Sequence, residues 1–258
     1  INVFKTFESY LKQFEIFINS VEENGTLVYN ELDHELKKLV SNNKSNLNYI
    51  PYSIPKHKII DGISFINFKN ELYRLKIFGD HNLQNISGAL NICKVLGVES
   101  KDFYKAITSF NGASNRLELV YQSSDTIIFK DFAHSPSKVK ATTEAVRKQF
   151  PNRKLISFFE LHTYSSLNPL FLEKYRDTLK HSDECYIYYS EKNMKIKRLK
   201  PIDSELIIKS FNHNSLNVID NYEKLNEKIN DLDLSNSVLL MMSSGKFGGL
   251  DFNKIKKS

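Results

Sequence analysis

The first 110 residues carry two kinds of hydrophobic pattern, one helical and one strand-like. In some segments apolar residues recur every three or four positions, as on one face of a helix, whereas others are short apolar runs bounded by Pro, Gly or Asn. The patterns predict helices over 4–20, 31–40, 81–96 and 101–110 and strands over 26–31, 47–52, 59–68 and 71–78. This part of the chain therefore alternates helix and strand, becomes rich in strands and ends in two helices.

The pattern becomes regular after a turn at Gly112, which marks a predicted domain boundary near residue 111. Short, continuous apolar runs then alternate with helical spacing, which is typical of a parallel sheet covered by helices on both faces. The predicted strands are 126–130, 154–159, 184–189, 216–219 and 237–242. Helices are predicted to begin at or near Pro136, Pro169, Asp203 and Tyr222. The first two follow Ser135 and Asn168, polar residues that can cap a helix.

Polar side chains are concentrated just past three of the predicted strands. The segments concerned are 131–136, 160–166 and 243–249, and they include His134 and His162. Ligands of open parallel sheets bind beyond the carboxyl ends of the strands. We therefore predict a ligand site on this rim, with ordinary helix capping and loop hydrogen bonding as the alternative.

The glycine-rich segment 243–249 contains a Gly-Lys pair but is not a Walker phosphate loop. That loop needs Gly where this chain has Leu240 and Ser or Thr where it has Phe247. No other phosphate loop and no GxGxxG motif occurs in the sequence. The segment is compatible with an anion-binding turn or with a flexible loop that ends a sheet.

Two further parts of the sequence carry side chains suited to binding a nucleotide. Asn82 and Asn85 lie three residues apart at the start of a predicted helix, and amides offer both a donor and an acceptor to a purine. Capping of that helix by Asn82 or Asp80 is the alternative. Arg116 follows the turn at the domain boundary, where a guanidinium can reach a phosphate. A surface ion pair with Glu118 is the alternative for Arg116.

Composition narrows the class of protein. Hydrophobic residues make up 41% and charged residues 26%, as in a folded domain rather than a disordered chain. The 36 Lys and Arg exceed the 30 Asp and Glu by six, but no basic-aromatic motif is present, so we expect no nucleic-acid partner. Two Cys residues exclude a disulfide framework, and no apolar run approaches the ~20 residues of a membrane span. We expect a cytoplasmic protein, and the missing initiator Met indicates a fragment of a longer one.

Four short segments, taken in order, resemble the Mur ligase family. GDHNLQN (79–85) is similar to its G-x-H-N-x-x-N helix start, FNGASNRLE (110–118) to its F-x-G-x-x-R-R-x-E hinge, DFAHSP (131–136) to its D-Y-A-H-x-P turn, and FELHTYSS (159–166) to its F-x-P-H-T-Y-S-R segment. FELH and SSGKFGG favour the murein-peptide ligase branch, which attaches the recycled tripeptide L-alanyl-γ-D-glutamyl-meso-diaminopimelate to UDP-N-acetylmuramate. The L-alanine-adding branch is the near alternative.

The resemblance implies an α/β fold and an incomplete enzyme. Residues 1–110 would be the latter part of a central P-loop-type ATPase domain, and residues 111–258 a Rossmann-like C-terminal domain with a mostly parallel sheet. The UDP-binding domain, the P-loop and the ligands of Mg²⁺ would lie upstream of Ile1. We therefore expect no metal site in this chain and no activity from it alone.

The reaction implied by the resemblance is ATP-dependent amide formation. The γ-phosphoryl group of ATP converts the carboxylate of UDP-N-acetylmuramate into an acyl phosphate, and the amine of an amino acid or murein tripeptide then displaces phosphate. Catalysis of this kind depends on positioning and charge neutralisation. A non-catalytic nucleotide- or partner-binding α/β module is the alternative function. A folylpolyglutamate-synthase-like ligase is a third hypothesis, which FELHTYSS disfavours.

The resemblance also implies roles for single residues. The ATP-binding residues would be His81, Asn82, Asn85, Arg116 and Asp131. Within this set the two amides would contact adenine and Asp131 the ribose hydroxyls. Arg116, at the phosphates, and His134 would be the catalytic residues, whereas the substrate-binding residues facing the acceptor would be His162, Ser243, Ser244 and Gly245.

Three positions depart from the family pattern: Asn115 and Ser166 replace Arg, and Leu161 replaces Pro. The change at Ser166 removes one expected cationic contact to the acceptor.

Overall fold

The computed structural model describes Phe4 and residues 6–255, and the chain divides into two compact units, Ile1–Phe110 and Asn111–Ser258. The first unit contains α1 (Phe7–Asn19), β1 (Thr26–Asn30), α2 (His34–Asn42), β2 (Asn48–Tyr52), β3 (His57–Ile60), β4 (Ile63–Phe68), β5 (Glu71–Arg74), α3 (Asp80–Val95) and α4 (Ser100–Ile107). The second contains β6 (Glu118–Gln122), β7 (Thr126–Asp131), α5 (Pro136–Gln149), β8 (Lys154–Glu160), α6 (Pro169–Leu172), β9 (Glu184–Tyr188), α7 (Glu191–Ile196), α8 (Ser204–Phe211), β10 (Leu216–Ile219), α9 (Tyr222–Asn230) and β11 (Ser237–Met242).

Side-chain caps set the starts of the first two helices, each three residues later than the apolar pattern predicts. At α1, Thr6 Oγ1 accepts the Ser9 N–H at 3.1 Å, and Ser9 Oγ accepts the Thr6 N–H at 3.3 Å. Residue 5, in the predicted helix over 4–20, lies outside the described residues. At α2 the Asp33 carboxylate accepts two N–H groups of the first turn. A cap satisfies N–H groups that the helix itself leaves free, so it fixes a boundary that apolar spacing does not.

The first unit has a parallel pair, β1–β2, and an antiparallel sheet in the order β3–β4–β5. The predicted strand over 59–68 is wrong in extent, because the chain turns at Asp61 and Gly62 with φ of 49° and 71° and forms two strands. The predicted strand over 71–78 ends at Arg74. Helices α3 and α4 bury their apolar faces beside this sheet, and the core contains Ile66, Tyr73, Leu83, Ile86, Leu90 and Phe103.

The second unit is built on one six-stranded sheet in the order β10–β9–β8–β11–β7–β6. All neighbours from β10 to β7 are parallel, and only β6 is antiparallel, so the predicted α/β class with a mostly parallel sheet is confirmed. The last strand, β11, is buried at all six positions, which explains its unbroken apolar sequence. It lies between β7 and β8 and places Met242 level with Asp131 and Phe159. The carboxyl ends of these three strands therefore share one edge.

Helices of the second unit begin close to the predicted positions. Asn168 caps α6 by accepting the Leu170 N–H at 3.0 Å. The capping prediction for Ser135 is wrong, because its side chain makes no cap hydrogen bond and the Pro136 ring alone marks the start of α5. Two elements were not predicted: the half-exposed edge strand β6 and the short helix α7.

Candidate active site on the strand rim

Three polar residues meet where β7, β8 and β11 end. Asp131, Glu160 and Ser243 are all buried. The Ser243 N–H donates to the Asp131 carbonyl oxygen at 2.9 Å, and the Ser243 hydroxyl donates to Glu160 Oε2. The structure thus brings together the three polar segments that the sequence places after separate strands.

The Asp131 carboxylate is engaged by donors of the protein itself. Its Oδ2 accepts the Leu117 N–H at 2.7 Å, and its Oδ1 accepts the Ala133 N–H at 2.7 Å and the Thr142 hydroxyl at 3.4 Å. Hydrogen bonds to a carboxylate are among the stronger ones in proteins. Asp131 therefore fastens the segment that carries Arg116 to the end of β7.

The Arg116 guanidinium makes no ion pair with a carboxylate of the described residues, Phe4 and 6–255. The alternative ion pair with Glu118 is absent: Glu118 pairs with Lys130 at 3.0 Å and accepts the Asn115 N–H at 2.7 Å. That backbone hydrogen bond and the charge of Lys130 lower the pKa of Glu118. Arg116 instead lies over the ring of Phe132, 5.6 Å from its centroid. Within the described part of the chain no acidic group pairs with Arg116, so its charge is available to an anion.

His134 is held in a defined orientation beside the same ring. Its Nδ1 lies 3.0 Å from the Phe132 carbonyl oxygen, and the two rings meet edge to face with centroids 5.3 Å apart. Because a carbonyl oxygen only accepts, Nδ1 carries the proton and Nε2 keeps its lone pair. The Tyr175 hydroxyl donates to the backbone carbonyl of His134 at 2.5 Å, which helps to fix the backbone at His134.

Glu160 forms the centre of the part of the rim that contains His162 and residues 243–245, although the sequence assigned it no role. Its side chain is only 2% exposed, and Oε2 also accepts the Phe247 N–H at 2.9 Å. His162 Nδ1 lies 3.6 Å from Glu160 Oε1. A Cβ at Gly245 would stand 2.7 Å from His162 Nδ1 and 2.8 Å from Glu160 Oε2, so only glycine fits there. The one sequence signal was an acidic residue at the end of an otherwise apolar strand.

The predicted substrate-binding residues His162, Ser243, Ser244 and Gly245 thus lie around one buried carboxylate. The 243–249 segment is held in place by hydrogen bonds rather than being a loose loop. Glu160 Oε2 accepts the Ser243 hydroxyl and the Phe247 N–H, and the Gly245 N–H donates to Ser243 Oγ at 2.6 Å. The Ser244 hydroxyl is buried and has no hydrogen-bond partner among the described residues. Buried hydroxyls are usually satisfied, so this one is suited to a group of a bound ligand.

The remaining predicted ATP-binding residues lie in the first turns of α3, in the first unit. Capping by Asn82 or Asp80 is wrong, because Gly79 occupies the cap position with φ of 91° and no side chain caps the helix. The Asn82 amide donates to the Phe78 carbonyl at 2.8 Å. His81 is half-buried and Asn85 is exposed.

The described residues do not supply a magnesium site. No group of three or more His, Cys, Asp or Glu side chains in Phe4 and 6–255 is arranged to hold a metal ion. None of the helices in the described ranges has the length and apolar character needed to cross a membrane.

Comparison with known families gives one sequence match over half of the chain. The sequence model of the family described as "Mur ligase, glutamate ligase domain" matches residues 115–245. A UDP-N-acetylmuramate–L-alanine ligase of Caldicellulosiruptor bescii is 30% identical in an alignment 201 positions long that covers 72% of this chain and 43% of that protein. The ligase of the same name from Sulfurihydrogenibium sp. is 32% identical, over 67% of this chain and 39% of that protein. The chain thus spans less than half the length of these relatives.

Solved structures show the same fold at low sequence identity. The UDP-N-acetylmuramate–alanine ligase of Thermotoga maritima superposes with a TM-score of 0.67 at 16% identity, covering 94% of this chain and 53% of that one. A murein peptide ligase of Psychrobacter arcticus gives a TM-score of 0.60 at 19% identity, covering 93% and 52%. Both units of the chain are therefore covered by folds found in such ligases.

Proposed function

The chain belongs to the Mur ligase family, and we propose that it forms the C-terminal half of a cytoplasmic, ATP-dependent ligase of peptidoglycan precursor synthesis or recycling. The ligase joins an amino acid or a murein tripeptide to UDP-N-acetylmuramate. One observation carries the proposal: the stretch that matches the family, 115–245, contains the rim residues from Arg116 to Gly245. In this proposal residues 1–110 are the incomplete central ATP-binding domain and residues 111–258 the C-terminal ligase domain.

Amide formation through an acyl phosphate needs no nucleophile from the protein. A carboxylate is a poor electrophile, so ATP first phosphorylates it, and the acceptor amine then attacks the acyl phosphate. Stabilisation of the transferring phosphoryl group depends on fixed positive charge. We assign that task to Arg116, whose guanidinium has no carboxylate partner among the described residues and is held beside Phe132.

Some of the other residues are proposed to bind ATP, and the rest to bind the acceptor. His81, Asn82 and Asn85 are proposed to hold the adenine from α3. Asp131 is proposed to accept from the ribose hydroxyls with the lone-pair positions not used by Leu117, Ala133 and Thr142. His134 Nε2 is proposed to line the same cleft as an acceptor.

On the acceptor side, His162 and the Ser243–Gly245 segment are proposed to bind the amino acid or peptide. Ser166, which stands where the family has Arg, is buried and its hydroxyl donates to the Thr163 carbonyl at 3.0 Å, so it offers no charge to the acceptor. Recognition of acceptor carboxylates would then rest on other groups of the full-length protein.

The proposal is tested on the full-length protein with ATP, Mg²⁺, UDP-N-acetylmuramate and one acceptor at a time. L-Alanine comes first because the relatives at 30% and 32% identity are L-alanine ligases, and the tripeptide second because of the FELH and SSGKFGG segments. Release of ADP that depends on both the muramate and one acceptor supports the proposal. Nucleotide binding without turnover for any acceptor would replace it with the nucleotide-binding module.

A further inference from the structure

Glu160 is a buried carboxylate, and within the described ranges it makes no ion pair with Lys or Arg. Its side chain is 2% exposed, and among the described residues no Lys or Arg lies within ion-pair distance of it. Its partners are a hydroxyl, a backbone N–H and the half-exposed imidazole of His162. A buried carboxylate is stabilised by hydrogen bonds and by a positive charge beside it, and among the described residues His162 is the side chain next to Glu160 that can carry such a charge.

The surroundings of Glu160 are built to hold His162 at its edge. Gly245 packs so closely against both side chains that a methyl group there would collide with them. Oε2 is taken by Ser243 and Phe247, which leaves Oε1 directed to His162 Nδ1 at 3.6 Å. This separation is too long for a hydrogen bond, and such bonds commonly tighten when the substrate binds. A carboxylate on this side favours a proton on Nδ1 and leaves the Nε2 lone pair free.

We propose that His162 Nε2 is the base that removes a proton from the ammonium group of the acceptor, and that Glu160 is the positioning residue that stabilises the resulting imidazolium. The proposal rests on the proposed ligase function. An ammonium has no lone pair, so it must lose one proton before its nitrogen can attack. The carboxylate stabilises the positive charge as it forms on the ring, much as a carboxylate orients a histidine in other sites.

One N–H proton of the ammonium passes to Nε2, giving a neutral amine and an imidazolium. The amine lone pair forms the C–N bond to the acyl carbon, and the C–O bond to phosphate breaks with its electron pair on the phosphate oxygen. The second N–H proton leaves with phosphate, and the imidazolium returns its proton to water.

The first test measures the state of the His162 ring in the 258-residue chain by ¹⁵N-histidine NMR, with His162→Gln to assign its signals. At a pH where imidazole is neutral, we expect the Nδ1–H tautomer, and we expect Glu160→Gln and Gly245→Ala to shift it toward Nε2–H. His213 is the internal control, because its Nδ1 accepts the Ser215 N–H and its Nε2 faces the Ser182 carbonyl. A His162 tautomer that neither variant changes would overturn the pairing.

The second test separates proton removal from acceptor binding in the full-length enzyme. Hydroxylamine is a neutral nucleophile at neutral pH, so it captures an acyl phosphate without needing a base. Loss of general-base catalysis costs roughly 10²–10⁴-fold, so Glu160→Gln and His162→Gln should lower kcat with the ammonium acceptor by at least about tenfold more than hydroxamate formation. Equal losses with both nucleophiles would overturn the base assignment. If the wild type forms neither product, the ligase function fails, while the NMR result still decides whether the pair exists.

Discussion

Two buried carboxylates, at the ends of β7 and β8, serve different purposes in this rim. Both oxygens of Asp131 accept hydrogen bonds from the protein, from the Leu117 and Ala133 N–H groups and the Thr142 hydroxyl. In Glu160, by contrast, Oε1 is directed to His162. The Asp131 carboxylate thus holds backbone segments together, whereas the Glu160 carboxylate is placed to stabilise a positive charge on His162. The difference follows from the residues that surround each carboxylate rather than from its type.

Arg116→Ala in the full-length enzyme should raise KM for ATP or lower kcat by roughly 10–100-fold, the loss of one charge-assisted hydrogen bond. Arg116→Lys keeps the charge but loses the planar fork, so it should recover only part of the rate. Steady-state kinetics with ATP and the acceptor varied separately checks this. If the effect of the Ala variant appeared only in KM for the acceptor, the phosphate assignment would have to be withdrawn.

Glu118 gives a pH-dependent prediction for folding. Its pKa lies below the ordinary value of 4.5, so its stabilising contribution is present above that value and is lost as pH falls through the lowered pKa. The side chain is 36% exposed, so solvent screens the interaction and Glu118→Gln should cost only about 0.5 kcal/mol near neutral pH. The difference in unfolding free energy between the wild type and Glu118→Gln should disappear at a pH below the lowered pKa of Glu118. Urea unfolding at several pH values measures this difference, with Glu227→Gln at an exposed position of α9 as the control. A difference that stayed constant across pH would contradict the prediction.

At the scale of elements, the central strand β11 should carry much of the second unit's stability. Leu240 is fully buried in it, between β7 and β8. Leu240→Ala should lower the free energy of unfolding by about 2–5 kcal/mol through lost burial and a cavity. Leu170→Ala, at a side chain that is 92% exposed, should change it by less than about 0.5 kcal/mol. Equal effects in denaturant unfolding would show that β11 is not a core strand.

The sequence predicts elements best where one physical signal dominates. The strands β7, β8, β9 and β11 match their apolar runs within a residue or two, because burial on both faces leaves no other pattern. Boundaries set by local hydrogen bonds were less accurate, as at Thr6 and Asp33. The edge strand β6 was missed because its residues are half-exposed. The role of Glu160 was missed because it depends on Gly245, 85 positions away, which only the sheet order brings near.

At the scale of the whole molecule, the residues from 111 onward contain a complete sheet with its own core. A buried cluster that includes Ile156, Phe158, Leu239 and Met241 lies entirely within them. We predict that 111–258 folds alone, as a soluble species with a cooperative unfolding transition. Circular dichroism during thermal unfolding checks this. An insoluble or molten product would contradict a domain boundary near residue 111.

The 258-residue chain on its own should not turn over ATP. No phosphate loop occurs in its sequence, so nothing in it cradles the β- and γ-phosphates. A coupled assay for ADP, with UDP-N-acetylmuramate and each acceptor present, should stay at background. ADP release by the chain that depends on the muramate would refute this prediction.

The central claim is that the rim on 115–245 serves an ATP-dependent amide ligase that acts on UDP-N-acetylmuramate. The most direct measurement is mass spectrometry of the muramate product formed by the full-length protein with ATP and Mg²⁺, in the presence of L-alanine or of the tripeptide. We predict a product heavier by one acceptor minus water, together with one ADP per product. An unchanged muramate with every acceptor, while ATP still binds, would contradict the claim.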